Sequence, residues 1–139
     1  MTGAEMAAAA AQLVGTPFRL HGRDPASGLD CIGVLAAALA SCGRAAYLPN
    51  GYALRNRVLP ELSGFVAGNS LLPATGCIAS GDVLLVRAGP GQFHVLIAAS
   101  EGNFVHANAS LKRVICSALP VDWPIIAHWR LAPPGIEEK

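Results

Sequence analysis

The chain has 139 residues, of which 53% are hydrophobic and 14% are charged, and its formal net charge is +1. This length is typical of a single domain, here 1–139, and so apolar a composition excludes a disordered chain. A charge near zero supplies no field that attracts nucleic acid, so we expect no nucleic-acid partner. The longest uncharged apolar stretch, around 31–40, is about half of the roughly 20 residues that cross a bilayer, so we expect no membrane span.

The N-terminal part of the chain predicts one short helix followed by a long loop. Residues 5–14 are rich in alanine and end at Gly15, a pattern that favours a helix. Residues 1–11 carry Glu5 but no basic residue, so they lack the positive start of a secretory signal, and we expect synthesis in the cytoplasm without a signal peptide. Residues 15–28 are rich in glycine and proline, and a loop of this length favours a functional role.

A second helix, buried in the domain, is predicted directly after this loop. Asp30 stands at the N-cap position, and apolar residues recur at helical spacing over 31–42 before Gly43 stops the helix. Residues 44–80 contain many glycines and prolines, so we expect irregular chain there, with one short helix near 61–67.

The C-terminal half predicts an antiparallel sheet. Short runs rich in β-branched residues alternate with turn residues, and these runs cover 83–87, 93–99, 104–107, 113–117 and 125–131. Helices followed by strands indicate an α+β domain, with the helix that begins at Cys31 packed on one face of the sheet.

Cys31 is the first candidate for chemistry. It lies at a helix start, where free backbone N–H groups and the helix dipole favour a thiolate, although a buried core residue is the common alternative for a lone cysteine. The other three cysteines, Cys42, Cys77 and Cys116, have no nearby base in the sequence and are interpreted as unreactive. We expect all four to be reduced.

Two histidines in neighbouring predicted strands are candidates for a base. His94 and His106 flank one turn, and a hairpin of even-sum register, such as His94 opposite His106 or Asn108, would put both imidazoles on one face. An odd register would put them on opposite faces. A nucleophilic cysteine needs such a base and a third group that orients it. His128, near the end of the last strand, is assigned to packing, and Asp82 to a turn.

Five short strings, in order, carry a resemblance that covers about 12–131. They are 15–19 (GTPFR), 29–33 (LDCIG), 81–87 (GDVLLVR), His94, and 104–107 (FVHA). Together they resemble the NlpC-type cell-wall peptidases, which are papain-like cysteine peptidases, and most closely the branch found in phage tails and gene transfer agents. The resemblance implies the same α+β papain-like fold, with no cofactor.

The resemblance also implies roles for single residues. Cys31 becomes the nucleophile, His94 the general base, and His106 the residue that orients His94. The substrate would be an amide bond of the peptidoglycan stem peptide, with binding residues that comprise Phe18, Arg19, His21 and Asp30. Phe18 stands where the family commonly has tyrosine, and Ile32 where it often has serine, so oxyanion stabilisation would depend on backbone N–H groups.

Partners and location follow from the same resemblance. We expect action at the cell wall as part of a phage-like particle, with tail proteins or further copies of the chain as partners. One alternative is a structural or binding module of such a tail that is weakly active or inactive. A third hypothesis, ranked last, is a zinc site formed by Cys31, His94 and His106.

Overall fold

The computed structural model describes residues 3–20, 22–41, 71–89, 92–99, 102–119 and 122–131. His21, Cys42 and the short helix expected near 61–67 lie outside the described residues. In chain order, the elements are α1 (Gly3–Ala11), β1 (Arg23–Asp24), β2 (Gly28–Leu29), α2 (Cys31–Ser41), β3 (Leu71–Pro73), β4 (Val83–Gly89), β5 (Gln92–Ala98), β6 (Asn103–Asn108), β7 (Arg113–Ala118) and β8 (Ile125–Leu131).

Six strands form one antiparallel sheet in the order β3-β8-β4-β5-β6-β7. The five strands expected from the sequence are all present, so the α+β class is confirmed. The sixth, β3, lies in a segment expected to be irregular. It is only three residues long and ends in Pro73, and short edge strands with proline give little periodicity to recognise.

The two faces of the sheet are covered differently. One face shares an apolar core with both helices, which includes Met6 of α1, Leu35 of α2, and Val95 and Ile97 of β5. The other face carries a smaller cluster that comprises Leu84, Val86, Leu96, Ala98 and Phe104, with Leu119 and Trp123 packed against it. Because side chains alternate along a strand, consecutive residues of β5 belong to these two different environments.

The loop before α2 is held tightly against the helix. The Phe18 N–H donates to the carbonyl of Lys112, and the Arg19 N–H donates to the carbonyl of Leu29. A side-chain Cβ on Gly33 would overlap the carbonyl oxygen of Gly22, so this close approach of loop and helix requires glycine. The start of α2 therefore has a fixed position relative to the sheet.

Candidate active site

Cys31 is the first residue of α2, and its side chain is only 2% exposed. Asp30, fully buried beside it, accepts a hydrogen bond of 2.8 Å at Oδ1 from the Gly33 N–H. This is the N-cap expected from the sequence, and it explains why the helix begins at Cys31. The N–H groups of Cys31 and Ile32, in the same first turn, have no carbonyl partner one turn earlier and hydrogen bond with the thiol sulfur.

The thiol of Cys31 lies where β5 and β6 stop pairing. The Ala98 N–H donates to the Asp82 carbonyl on the β4 side, so the Val95 N–H, three residues earlier, points to the β6 side. The ladder between β5 and β6 consists of the pairs Ile97↔Val105 and Ala98↔Phe104. The Val95 N–H lies beyond these pairs and forms a hydrogen bond with the Cys31 sulfur. We call this opening between the two strands the seam.

The two imidazoles of the candidate site are in direct contact. His94 Nε2 lies 2.9 Å from His106 Nδ1, and the ring planes are nearly perpendicular. The pair Ile97↔Val105 has an even-sum register, so the two histidines share one face of the sheet as the hairpin argument expects. His106 is 2% exposed and also contacts the Ser117 hydroxyl at 3.3 Å from its Nε2 atom.

Trp123 covers the imidazole pair. Its ring meets His94 edge to face at a centroid separation of 5.8 Å and His106 at 6.0 Å. Trp123 is absent from the residues expected at the site, because it comes from the loop between β7 and β8 and reaches the histidines only through the fold. No local pattern around Trp123 could have found it.

Thiol and imidazole approach the seam from opposite sides. Val95 faces the α2 side of the sheet, and His94, the residue before it, faces the Trp123 side. Among the described residues, no hydrogen bond joins Cys31 to His94, and His94 Nδ1 has no hydrogen-bond partner. The structure thus places Cys31 and His94 at neighbouring positions of one seam without direct contact between them.

Burial controls the protonation of the cysteine. Loss of water around the thiol and, to a smaller extent, the negative charge of Asp30 raise the pKa of Cys31 to about 12, although the Val95 N–H lowers it. The N–H groups at the helix start lower the pKa of Cys31 as expected, but burial outweighs them and the net shift favours the thiol. Desolvation outweighs the helix dipole, whose effect is small by comparison.

The histidines are neutral for the same reason. Burial lowers the pKa of His94 to about 3, helped by repulsion from His106, and burial also lowers the pKa of His106. At physiological pH the Cys31 thiol and both imidazoles are therefore neutral. Formation of a thiolate from such a thiol requires a base that accepts its proton.

Replacement of Asp30 by asparagine is expected to make Cys31 more acidic. Asparagine keeps the oxygen that caps α2 but removes the charge that raises the thiol pKa. Alkylation of Cys31 by iodoacetamide, mapped by mass spectrometry across a pH series, should accelerate at a lower pH in Asp30→Asn. The matched control is Asp24→Asn, where an exposed carboxylate caps the Ala26 N–H in a nearby turn. An unchanged pH profile for Asp30→Asn would contradict this electrostatic account.

The buried imidazoles are expected to make the fold sensitive to mild acid. The pKa of His94 is lowered in the folded state, so between about pH 6.5 and 3 the unfolded chain binds a proton that the folded chain does not. Stability should therefore fall as the pH falls, by at most about 1.4 kcal/mol per pH unit for each such group. In urea unfolding between pH 7 and 4.5, His94→Gln should show a shallower decline than the unmodified protein, and equal slopes would contradict the prediction.

The remaining expected binding residues lie around the start of α2. Phe18 is partly buried against the core and forms a bridge with Leu29, the strand residue before Asp30. Arg19 is exposed, so its guanidinium faces solvent next to the same strand. The structure therefore places Phe18, Arg19 and Asp30 near one another, while His21 lies outside the described residues.

A second polar cluster contains His128, expected to serve packing, and Asp82, expected in a turn. His128 Nε2 lies 2.7 Å from Asp82 Oδ2, and Arg130 donates to both carboxylate oxygens at 2.9 Å. Burial alone would raise the pKa of Asp82, but hydrogen bonds from Arg130, the Ala79 N–H and His128 lower it overall. The assignment of His128 to packing alone is thus incomplete, because it joins an ion-pair network between β8 and the turn before β4.

The geometry of the imidazole pair bears on the zinc hypothesis. His94 and His106 direct two nitrogens at each other, so these atoms do not converge on one external point as zinc ligands do. Within the described ranges, no group of three or more histidine, cysteine, aspartate or glutamate side chains is arranged to hold a metal ion.

None of the helices in the described part of the chain is long and apolar enough to cross a membrane.

The fold is that of NlpC/P60 domains, as comparison with solved structures shows. The NlpC/P60 domain of the peptidoglycan hydrolase SagA superposes with a TM-score of 0.61 and 24% identity, over 96% of this chain and 100% of that domain. NlpC1 from Trichomonas vaginalis gives 0.66 and 18%, over 91% and 44%. The peptidoglycan hydrolase RipB from Mycobacterium tuberculosis gives 0.59 and 20%, over 92% and 63%.

These proteins are similar to the chain in structure rather than in amino-acid sequence. No family model matches the sequence, and no curated protein sequence matches it. The chain spans less than half of the T. vaginalis protein, which is therefore larger than this domain.

Proposed function

We propose that the protein is a cysteine peptidase that hydrolyses an amide bond in the stem peptide of peptidoglycan. The observation that carries this proposal is the seam, where the Cys31 thiol meets the Val95 N–H one residue from His94, which is itself bonded to His106. The fold supports it, because two of the similar structures are named peptidoglycan hydrolases. The proposal treats 1–139 as a single peptidase domain.

The described groups supply a complete acyl-transfer reaction. As substrate binds, the thiol proton passes to His94 and the sulfur attacks the amide carbon, which gives a tetrahedral intermediate. The backbone N–H groups of Cys31 and Ile32, at the open end of α2, lie beside the sulfur and are the donors we assign to the oxyanion. The C–N bond then breaks, and the amine leaves with the proton from His94. Water, deprotonated by His94, hydrolyses the thioester and restores the thiol.

The substrate-binding part of the proposal involves the loop before α2. Arg19 is exposed. A guanidinium forms bidentate hydrogen bonds with carboxylates, and stem peptides carry carboxylate groups. Phe18, Asp30 and His21 complete the set of binding residues inferred from the sequence. Phe18 provides apolar contact without a hydroxyl, so the proposal assigns no proton transfer to that position.

Peptidoglycan digestion tests the proposed function. Purified protein incubated with sacculi should release soluble fragments with new free amino termini, and their masses identify the bond that is cleaved. The Cys31→Ala variant should release none. Fragments without new amino termini would point to cleavage of a different bond class and would contradict the proposal.

A second candidate function is favoured by the resting state of the thiol. A 2% exposed cysteine with a pKa of about 12, not bonded to the histidine, is also what a binding module that has lost activity would show. Such a module would sediment with sacculi and release no fragments. The same incubation therefore separates the two candidates.

The cellular setting rests on the sequence resemblance alone. We propose that the protein acts at the cell wall within a phage-like particle, bound to tail proteins or to further copies of itself. Fractionation of purified particles tests this setting. Absence of the protein from assembled particles would reject it without affecting the peptidase proposal.

A further inference from the structure

A chain of hydrogen bonds leads from the candidate base to a backbone carbonyl. His94 Nε2 contacts His106 Nδ1 at 2.9 Å, His106 Nε2 contacts Ser117 Oγ at 3.3 Å, and the Ser117 hydroxyl lies 3.4 Å from the Ala118 carbonyl oxygen. A carbonyl oxygen only accepts, so the Ser117 hydroxyl donates to Ala118. The hydroxyl oxygen then accepts from His106 Nε2, which must carry the proton.

The direction of the bond between His106 and Ser117 also fixes the direction of the hydrogen bond between the two imidazoles. With its proton on Nε2, neutral His106 offers a lone pair at Nδ1, so His94 donates from Nε2. The proton of neutral His94 is then fixed on Nε2, and its lone pair lies at Nδ1, the atom that has no hydrogen-bond partner among the described residues. A cysteine peptidase requires such a free lone pair on its base.

We propose that Ser117 is a positioning residue that fixes the tautomers of His106 and His94 so that His94 Nδ1 is the proton acceptor. The inference rests on the proposed function for its purpose, but the tautomers themselves can be measured without activity. Ser117 lies on β7 opposite Phe104, on the face of the sheet that carries the imidazoles, so strand register places its hydroxyl beside His106.

The surroundings of the imidazoles leave Ser117 to set the direction of these hydrogen bonds. In the part of the chain that the structure describes, no carboxylate contacts either imidazole, and Trp123 contributes an aromatic ring to both. A carboxylate or carbonyl oxygen can only accept a hydrogen bond, whereas each nitrogen of His106 can be donor or acceptor, according to the tautomer. A histidine in this place therefore needs a further group that decides its direction, and Ser117 is in contact with it.

Nitrogen-15 NMR of the imidazoles tests the inference directly. In the unmodified protein, both His94 and His106 should show protonated Nε2 and unprotonated Nδ1. In Ser117→Ala, His106 should become a mixture of tautomers, and His94 should follow it. Ser117→Thr keeps a hydroxyl and should restore the original pattern, while the matched control Ser80→Ala, which removes a hydroxyl near the Ala99 carbonyl, should not disturb it.

Activity provides a second, independent readout. If the proposed function holds, Ser117→Ala should lower kcat/KM by up to about tenfold, the weight of one neutral hydrogen bond, and Ser117→Thr should recover it. Unchanged tautomers in Ser117→Ala, or His94 protonated at Nδ1 in the unmodified protein, would overturn the inference whether or not the protein is active. The expected tautomers in a protein without hydrolase activity would uphold the inference and reject the proposed function.

Discussion

The Cys31→Ala variant is expected to lose hydrolysis of a soluble stem-peptide substrate by at least about a thousandfold, since removal of a nucleophile removes the covalent pathway altogether. The fold should survive, because the change removes one sulfur atom from the edge of the core at the start of α2. Turnover is measured by chromatography of the released amine product.

A matched cysteine variant isolates this effect. Cys77 is exposed and lies in the segment before β4, so Cys77→Ala should retain full turnover. Retained turnover in Cys31→Ala, or equal losses in both variants, would show that the thiol at the seam is not the nucleophile. Circular dichroism of each variant establishes that the fold is intact before rates are compared.

The His94→Ala variant is expected to lose at least about a hundredfold in kcat/KM, because a general base contributes roughly 10²–10⁴ to rate. This contribution is large here because the Cys31 pKa of about 12 leaves almost no thiolate at neutral pH without a base. His106→Ala should cost no more than His94→Ala, since His106 contacts the base rather than the thiol. Rates measured with the soluble substrate across pH 6 to 9 test this order.

A histidine outside the seam serves as the control. His128 contacts Asp82 rather than the imidazole pair, so His128→Ala should leave kcat/KM unchanged wherever the variant remains folded. If His106→Ala were inactive while His94→Ala turned over normally, the two roles would be exchanged. If both kept normal turnover, the imidazole pair would have no part in the reaction.

The elements around the site could be predicted where the signal was local. Asp30 at the N-cap and the apolar spacing after Cys31 depend on neighbouring residues, and the structure confirms a helix that starts at Cys31. The shared face of His94 and His106 depended only on the parity of one hairpin register, which is even. Such features are encoded within a dozen residues of chain.

Features that depend on tertiary structure could not be predicted from the sequence. The net pKa of Cys31 could not be predicted from the sequence, because burial, which dominates it, follows from packing between α2 and the sheet. Trp123 and Ser117 reach the imidazoles from β7 and the loop after it, and their own sequence surroundings carry no motif. The contact of His128 with Asp82 joins residues 46 positions apart, beyond any local pattern.

The most direct test of the central claim is the mass of the protein itself during turnover. After rapid acid quenching with a soluble stem peptide, a covalent adduct equal to the acyl half of the substrate should appear on the proteolytic fragment that contains Cys31. Hydroxylamine, which cleaves thioesters, should remove it. Release of product with no such adduct, together with full activity of Cys31→Ala, would contradict the claim that the thiol at the seam performs the reaction.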